Sequence, residues 1–243
     1  MVRIETHCHS HHSFDCNTAI SDIIATCLQR EVKGIVICDH DVCDITDKEE
    51  ASFKGNGIKL YKAIEFTTKT DAHVIGISPR IKELQQERFH YELDELIDKL
   101  QSIGAAIIIP HPNHGTGIVG NGKIEQGTIE KAFLAAHFVE KENYRYGKTS
   151  SDIIKKYSEK SFVIGSDAHA SKNVGAFVNL AGEIKDDFLA TMQSGKISYY
   201  KNDEHGRGYW IMKSVKASAS YQFLLKLFPA ELRRTIKNKM INK

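Results

Sequence analysis

At 243 residues, with 41% hydrophobic and 26% charged residues, the chain has the composition of an ordinary soluble protein and can bury one sizeable core without dividing into two domains. Its longest apolar runs, GIVIC at 34–38 and AAIIIP at 105–110, fall far short of a bilayer span; MVRIETHCHS at the start lacks the apolar stretch of a secretory signal, so a cytoplasmic location is expected. The net charge of +2 is unevenly spread: residues 1–205 hold 24 Lys/Arg against 30 Asp/Glu, whereas residues 206–243 hold 9 against 1, which separates an acidic body from a basic appendage.

In chain order, short apolar runs alternate with helical periodicity, the pattern of parallel strands joined by crossover helices in an α/β fold. VRIETHCH reads as the first strand. A helix is expected at about 18–32, capped by Thr18 or Ser21, with Ile20, Ile23, Ile24, Cys27 and Leu28 at helical spacing. GIVICDH at 34–40 is the second strand, followed by a short polar helix near 46–53. IKLYKAIEFT at 58–67 and HVIGIS at 73–78 are expected to form a hairpin whose turn brings Glu65 and His73 to one end. A long charged helix is expected over about 80–103, then AAIIIPHP at 105–112, a helix at about 123–136, FVEKEN at 138–143, a helix at 149–159, FVIGSDAH at 162–169 and a last helix at about 183–195.

Five cysteines, Cys8, Cys16, Cys27, Cys38 and Cys43, crowd the first 43 residues without the CxxC spacing of a structural zinc site, and are expected to be reduced and mostly buried. Strand alternation sends Cys8 to the face opposite His7 and His9.

Nine potential metal ligands stand where apolar runs end: His7, His9, Asp15, His40, Glu65, His73, His111, Asp167 and His169. His7 and His9, at i and i+2 of a strand, project from one face and can share an ion, and Asp167 with His169 repeats that geometry. A single HxH among 12 histidines is a weak signal. Its recurrence as ICDH, IEFT, IIPHP and IGSDAH at successive strand ends points instead to one rim of a multinuclear metal site. Asp39, Asp41, Asp44 and Asp47 are better read as caps of the next helix. Mixed nitrogen and oxygen ligands without thiolate suit zinc, manganese or iron.

Over about residues 1–200 the sequence resembles the PHP (polymerase and histidinol phosphatase) superfamily of metal-dependent phosphoesterases, through ETHCHSHHSFDCN, GIVICDHD, IEFTT with HVIG, IPHPN, VEKEN and GSDAHA in the family's order. The resemblance implies a distorted (β/α)7 TIM-like barrel over 1–204 with a trinuclear site at the C-terminal ends of its strands, followed by a basic extension over 205–243. It also implies three divalent ions (Mn2+, Zn2+ or Fe2+): one held by His7, His9, Glu65 and Asp167, a second by Glu65, His73 and His111, a third by Asp15, His40 and His169. His11 or His12 can substitute for Asp15. Glu140 and Asn143 would support the site without ligating metal.

The activity implied is hydrolysis of a phosphate ester of a small metabolite or nucleotide by a metal-bound hydroxide, with Glu65, Asp167, His169 and His114 as the candidate catalytic residues. His114 or a metal-bound water would protonate the leaving oxygen. Arg145 and Arg207 can grip phosphate, although an arginine in a loop is usually solvated. The alternatives are a nuclease acting on DNA or RNA ends, against which the acidic body argues, and a noncatalytic scaffold, which would be expected to have lost ligands. Pro229 or Ala230 can open a tail helix with Leu232, Ile236 and Met240 on one face and basic residues on the other, suited to docking on the barrel, to an anionic surface such as the inner membrane face, or, less well, to nucleic acid. Histidinol phosphate, a nucleotide 3′,5′-bisphosphate and a sugar phosphate all remain open as substrates, as does the oligomeric state.

Overall fold

Val2–Cys8 (β1) and Val32–Ile37 (β2) run parallel, and β2 pairs in parallel with Lys59–Thr67 (β3), so the chain begins as two crossover units. The structure, a computed structural model, describes residues 1–85 and 87–202. The basic extension from 205, with Arg207 and the helix expected from Pro229 or Ala230, lies outside the described residues. His73–Ile77 (β4) returns antiparallel to β3, with Thr67 opposite His73, and pairs antiparallel with Ala106–Ile109 (β5). Phe138–Asn143 (β6) then runs parallel to β5, and Ser161–Gly165 (β8) parallel to β6. The expected hairpin is therefore present, and β4 is a reversed strand inserted into an otherwise co-directional series.

The sheet is curled. An isolated parallel bridge joins Cys8 of β1 to Ala168 just past β8, with the His9 amide donating to the Ala168 carbonyl at 3.0 Å. Three short strands absent from the sequence reading extend it: Gly147–Lys148 (β7) beside β6, Phe177–Ala181 (β9) beside β1, and Ser198–Lys201 (β10) beside β9.

Side-chain alternation separates an inner from an outer core. One apolar cluster collects Ile4, Val36 with Cys38, Tyr61 with Ala63, Ile75 with Ile77, Ala106 with Ile108, Phe138 and Val163, residues drawn from seven strands. Only the concave face of a curled sheet can gather them. The intervening residues face outward beneath helices. Ile35 and Ile37 pack with Ile20–Gln29 (α1), and Ile107 and Ile109 pack with Leu93–Ser102 (α3) and Gln126–Ala135 (α4). The register irregularity between Glu5 and Cys8 explains why Ile4 is inner whereas Cys8, four residues on, is outer. That shift in phase is what turns His7 inward.

The long helix expected over 80–103 is instead a 3-10 turn at Ile81–Leu84 followed, after a break, by α3. The break folds back over the β3–β4 turn: the Phe89 amide donates to Thr67 O at 3.1 Å, the Lys69 amide donates to Tyr91 O at 2.9 Å, and Tyr91 is buried. Phe89 has a left-handed φ of 64°, which no continuous helix permits. Helix α1 starts after Ala19 with no side-chain cap, not at Thr18 or Ser21. The helix near 46–53 spans Asp47–Gly55 (α2), capped by a reciprocal Thr46–Glu49 box. The remaining helices are shorter than expected, at Ser151–Lys156 (α5) and Phe188–Met192 (α6). All five cysteines are free and buried, and no helix among the described residues is long and apolar enough to cross a membrane.

Candidate metal centre

Follow the inner face of each strand toward its rim and the apolar ladder ends in a ligand. Tyr61 and Ala63 lead to Glu65 and Val36 and Cys38 to His40, while Phe138 leads to Glu140, which backs the ligands without being one of them. Because β4 is reversed, His73 precedes Ile75 and Ile77 and still reaches the same rim. The loop after β5 supplies His111, the loop after β8 supplies Asp167 and His169, and the loop after β1 supplies Asp15.

Glu65 lies at the centre of these groups and is buried. Its Oε2 is 3.2 Å from His7 Nε2, 3.1 Å from His9 Nε2 and 3.6 Å from His40 Nε2. Its Oε1 is 3.1 Å from both His73 Nδ1 and His111 Nε2. Asp167 Oδ1 is 3.6 Å from His9 Nε2, 3.9 Å from His7 Nε2 and 3.2 Å from His169 Nδ1. Asp15 Oδ2 is 2.9 Å from His169 Nε2 and 3.7 Å from His40 Nε2. The nine expected ligands thus come together as one continuous cluster. Their donor atoms also group across the three expected sets: His9 with Asp15, His40 and His169, His7 with His111 and Asp167, and His40 with Glu65 and His73.

The cluster fits divalent ions on its own chemistry. Both ring nitrogens of His9, Nδ1 of His40 and of His111, and Nε2 of His73 are buried without a hydrogen bond. Of these, His9 Nε2 lies 3.1 Å from Glu65 Oε2 and 3.6 Å from Asp167 Oδ1, an orphaned nitrogen that is costly unless a cation collects it. Burial tends to raise the Glu65 carboxyl, but His7, His40 and His73 hold it well below the usual carboxylate range. Burial likewise opposes ionisation of Asp167, yet Arg145 and His7 keep it low. Burial takes His40 down to about 3, leaving its ring neutral and able to ligate. His169 is pulled down by burial and Arg145 but lifted to about 9 by Asp15 and Asp167. Cys38 also stands beside His7 and His9; burial pushes its thiol well up, so it stays protonated and the donor set remains nitrogen and oxygen.

A second layer aims the ligands. Glu140 Oε1 accepts from His7 Nδ1 at 2.8 Å, while its Oε2 accepts from the His111 amide at 2.9 Å and from Asn143 Nδ2 at 3.0 Å. This carboxylate–imidazole arrangement fixes which nitrogen His7 presents inward. Gly165 makes room for it: a Cβ there would collide with Glu140 Oε1 and press on the His7 Cβ. Gly165→Ala is accordingly expected to cost about 1–3 kcal/mol of stability and to reduce bound metal, measured by denaturant unfolding and elemental analysis.

Several contributors escaped the sequence reading. Asp39 caps no helix; it accepts from the Ser10 amide at 2.6 Å and the Ser10 hydroxyl at 2.7 Å, anchoring the HSHHS loop. Asp41 accepts from the Thr67 amide at 2.6 Å. Arg145, read as a possible phosphate grip although usually solvated in a loop, is part-buried at the site with Nη1 3.2 Å from Asp167 Oδ1, held there because Asn143 Oδ1 accepts the Arg145 amide at 2.9 Å. His111 and Asp167 have φ of 28° and 48°, conformations that cost non-glycine residues about 1–3 kcal/mol and leave no mark in a hydropathy pattern. Asp15 faces His169 and His40, whereas His12 faces Glu49, away from this cluster. His114 stacks on Tyr146 at 3.7 Å between ring centroids, with Nδ1 3.0 Å from Thr116 Oγ1. A cavity of about 130 Å³ opens onto Glu65, His40, His73 and Asp167, with Phe14, Arg88, Arg145 and Tyr146 around it. Two larger surface cavities, about 460 and 440 Å³, contain none of the expected ligands.

Comparison with known proteins places this arrangement. A two-domain Bacteroides vulgatus protein containing a predicted PHP-like metal-dependent phosphoesterase superposes with a TM-score of 0.64 at 14% identity, over 83% of this chain and 65% of that one. PsfC from Pseudomonas syringae PB-5123 superposes with 0.60 at 16% identity, over 92% of this chain and 100% of its own. The lesion-specific endonuclease EndoQ of Pyrococcus furiosus gives 0.61 at 16% identity, over 82% of this chain and 57% of that one. The chain therefore spans less than two thirds of the Bacteroides and Pyrococcus proteins, and at these identities the likeness is one of fold. No curated protein matches the sequence. The PHP domain model matches residues 5–231, and with its mixed α/β curled sheet the chain belongs to the PHP domain family.

Proposed function

We propose that this protein hydrolyses a phosphate monoester of a small metabolite or nucleotide, using divalent ions held by His7, His9, Asp15, His40, Glu65, His73, His111, Asp167 and His169 on a distorted (β/α)7 barrel. One observation carries the reading: five imidazole nitrogens stand 3.1–3.6 Å from a single buried carboxylate, Glu65. Imidazoles crowded around one carboxylate make poor packing and good coordination. Three ions fit the donor count, with Glu65 shared between two of them.

Bound divalent ions supply Lewis acidity, lowering the pKa of water and polarising phosphoryl oxygens. The chain's own residues do the positioning. Arg145, held beside Asp167 at the cavity wall, brings a fixed positive charge to where a phosphate would sit. Tyr146 lines the cavity, and burial pushes its phenol up, so it stays protonated and donates rather than accepts. A cavity of about 130 Å³ accommodates a phosphoryl group and leaves the rest of the substrate against the rim, where Phe14 is 63% exposed.

The test is a rate measurement on manganese-, zinc- and iron-loaded protein with a nitrophenyl phosphate, a panel of phosphorylated metabolites including histidinol phosphate and nucleotide bisphosphates, and labelled oligonucleotides. Turnover of small monoesters is expected. Loaded protein that turns over none of them would overturn the proposal, and faster cleavage of oligonucleotides would replace it with the nuclease reading. His114 is proposed to act through Tyr146, on which it stacks. His114→Gln should thus lower kcat by roughly tenfold or less, whereas a loss of about 10²–10⁴ would identify it as the general acid.

A further inference from the structure

The loop between β1 and α1 carries two histidines that the centre around Glu65 does not use. His11 and His12 turn instead toward Glu49 in the first turn of α2. His12 Nε2 is 3.1 and 3.2 Å from the two carboxylate oxygens of Glu49, and His11 Nε2 is 3.7 Å from Oε1. The two rings lie 4.1 Å apart with a 36° tilt, and each turns its Nε2 toward that carboxylate, within reach of one ion. A tetrahedral ion with bonds of about 2.0–2.1 Å has ligand atoms about 3.3 Å apart, close to the spacing found here.

A hydrogen bond between His12 and Glu49 would account for that pair alone. It does not account for His11, which turns its own Nε2 toward Oε1 of the same carboxylate from a distance too long for a hydrogen bond. Glu49 Oε2 takes the Thr46 amide and hydroxyl, each at 2.8 Å, and this capping box holds the carboxylate still. The cluster is accessible: the side chains of His11, His12 and Glu49 are 43%, 17% and 19% exposed, so an ion can enter and a water can complete its shell.

We propose that His11, His12 and Glu49 form a separate binding site for a zinc-class divalent ion, with two imidazoles, one carboxylate and one open position. The site clips the loop to the start of α2. The same loop carries Asp15, whose Oδ1 accepts from Ser13 Oγ at 2.8 Å, and Ser13 Oγ in turn accepts from the His40 amide at 3.2 Å. An ion on the outer side of the loop thereby restrains a residue that faces the inner cluster.

The experiment is zinc binding by full-length protein stripped with a chelator, followed by equilibrium dialysis and elemental analysis. Wild type is compared with a His11→Ala/His12→Ala double variant and with Glu49→Gln, whose amide preserves the capping box. Both variants are expected to keep the wild-type circular dichroism spectrum and to bind one fewer equivalent at saturation. Equal stoichiometry in wild type and the histidine variant would overturn the proposal. Loss in that variant but not in Glu49→Gln would remove Glu49 and overturn the three-ligand assignment. Because the readout is a difference from wild type, failure of the Glu65 centre registers separately, as a low wild-type total.

Discussion

Glu65→Ala is expected to lower kcat of the metal-loaded protein by roughly 10³-fold or more, about 4 kcal/mol of transition-state stabilisation, and to remove at least one equivalent of bound metal. The size follows from position. Glu65 is the carboxylate that His7, His9, His40, His73 and His111 all face, so its loss empties the middle of the cluster and leaves five buried imidazoles with no common anion. Steady-state rates and elemental analysis of the same preparation are the measurements. Glu65→Gln separates charge from shape: it keeps the side-chain volume, and it should fail nearly as badly because an amide cannot supply the negative charge that the proposed two ions would share. Unchanged rate and metal content in either variant would show that the centre does not depend on this residue.

Glu140→Gln is expected to weaken metal affinity by about 10- to 100-fold although Glu140 is not proposed as a ligand, a magnitude typical of carboxylates that orient coordinating histidines. Glu140 joins His7 Nδ1, the His111 amide and Asn143, so one substitution disturbs two expected ligands, one on β1 and one in the loop after β5. The amide also changes which His7 tautomer is held. Competition with a chromophoric chelator measures the affinity, and rates at saturating metal show whether the defect is one of binding. A variant with wild-type affinity would place Glu140 among merely structural residues.

The ligands were legible because they interrupt a pattern: Glu65 and His40 break apolar alternation where strands meet the rim, and HxH or DxH spacing on extended backbone leaves little freedom about which side residues face. The β3–β4 hairpin was legible from TTKTD between two apolar runs. Arg145 was legible only as a possible phosphate grip, because nothing in its neighbourhood distinguishes a guanidinium drawn into the site from a solvated one; its place there depends on Asn143 turning the β6–β7 hairpin toward Asp167. Asp39 and Asp41 were misread as helix caps because their partners, Ser10 and Thr67, come from other strands. The charged segment before α3 has helix-forming composition, yet Tyr91 has more to gain from burial beside Phe66 than from continuing a helix. Competition of that kind is decided by tertiary contacts and not by local propensity.

The reversed strand β4 also bears on the order in which the molecule assembles. Glu65 and His73 sit in one hairpin, hydrogen-bonded 8 residues apart, so their meeting requires closing only a short loop. At the seam between β1 and β8 the Thr6 hydroxyl donates to Ile164 O across 158 residues, and His7 cannot meet Asp167 until that seam forms. Non-local pairings of this length are slow relative to hairpins. The half of the centre around Glu65 and His73 is therefore expected early in folding, while the half around His7, His9 and Asp167 waits for β8 to close on β1. Pulse-labelled hydrogen exchange during refolding should protect the β3–β4 amides before that of Ala168. Metal captured by the early half would then act as a template on which β8 docks, making the rim a folding device before it is a chemical one.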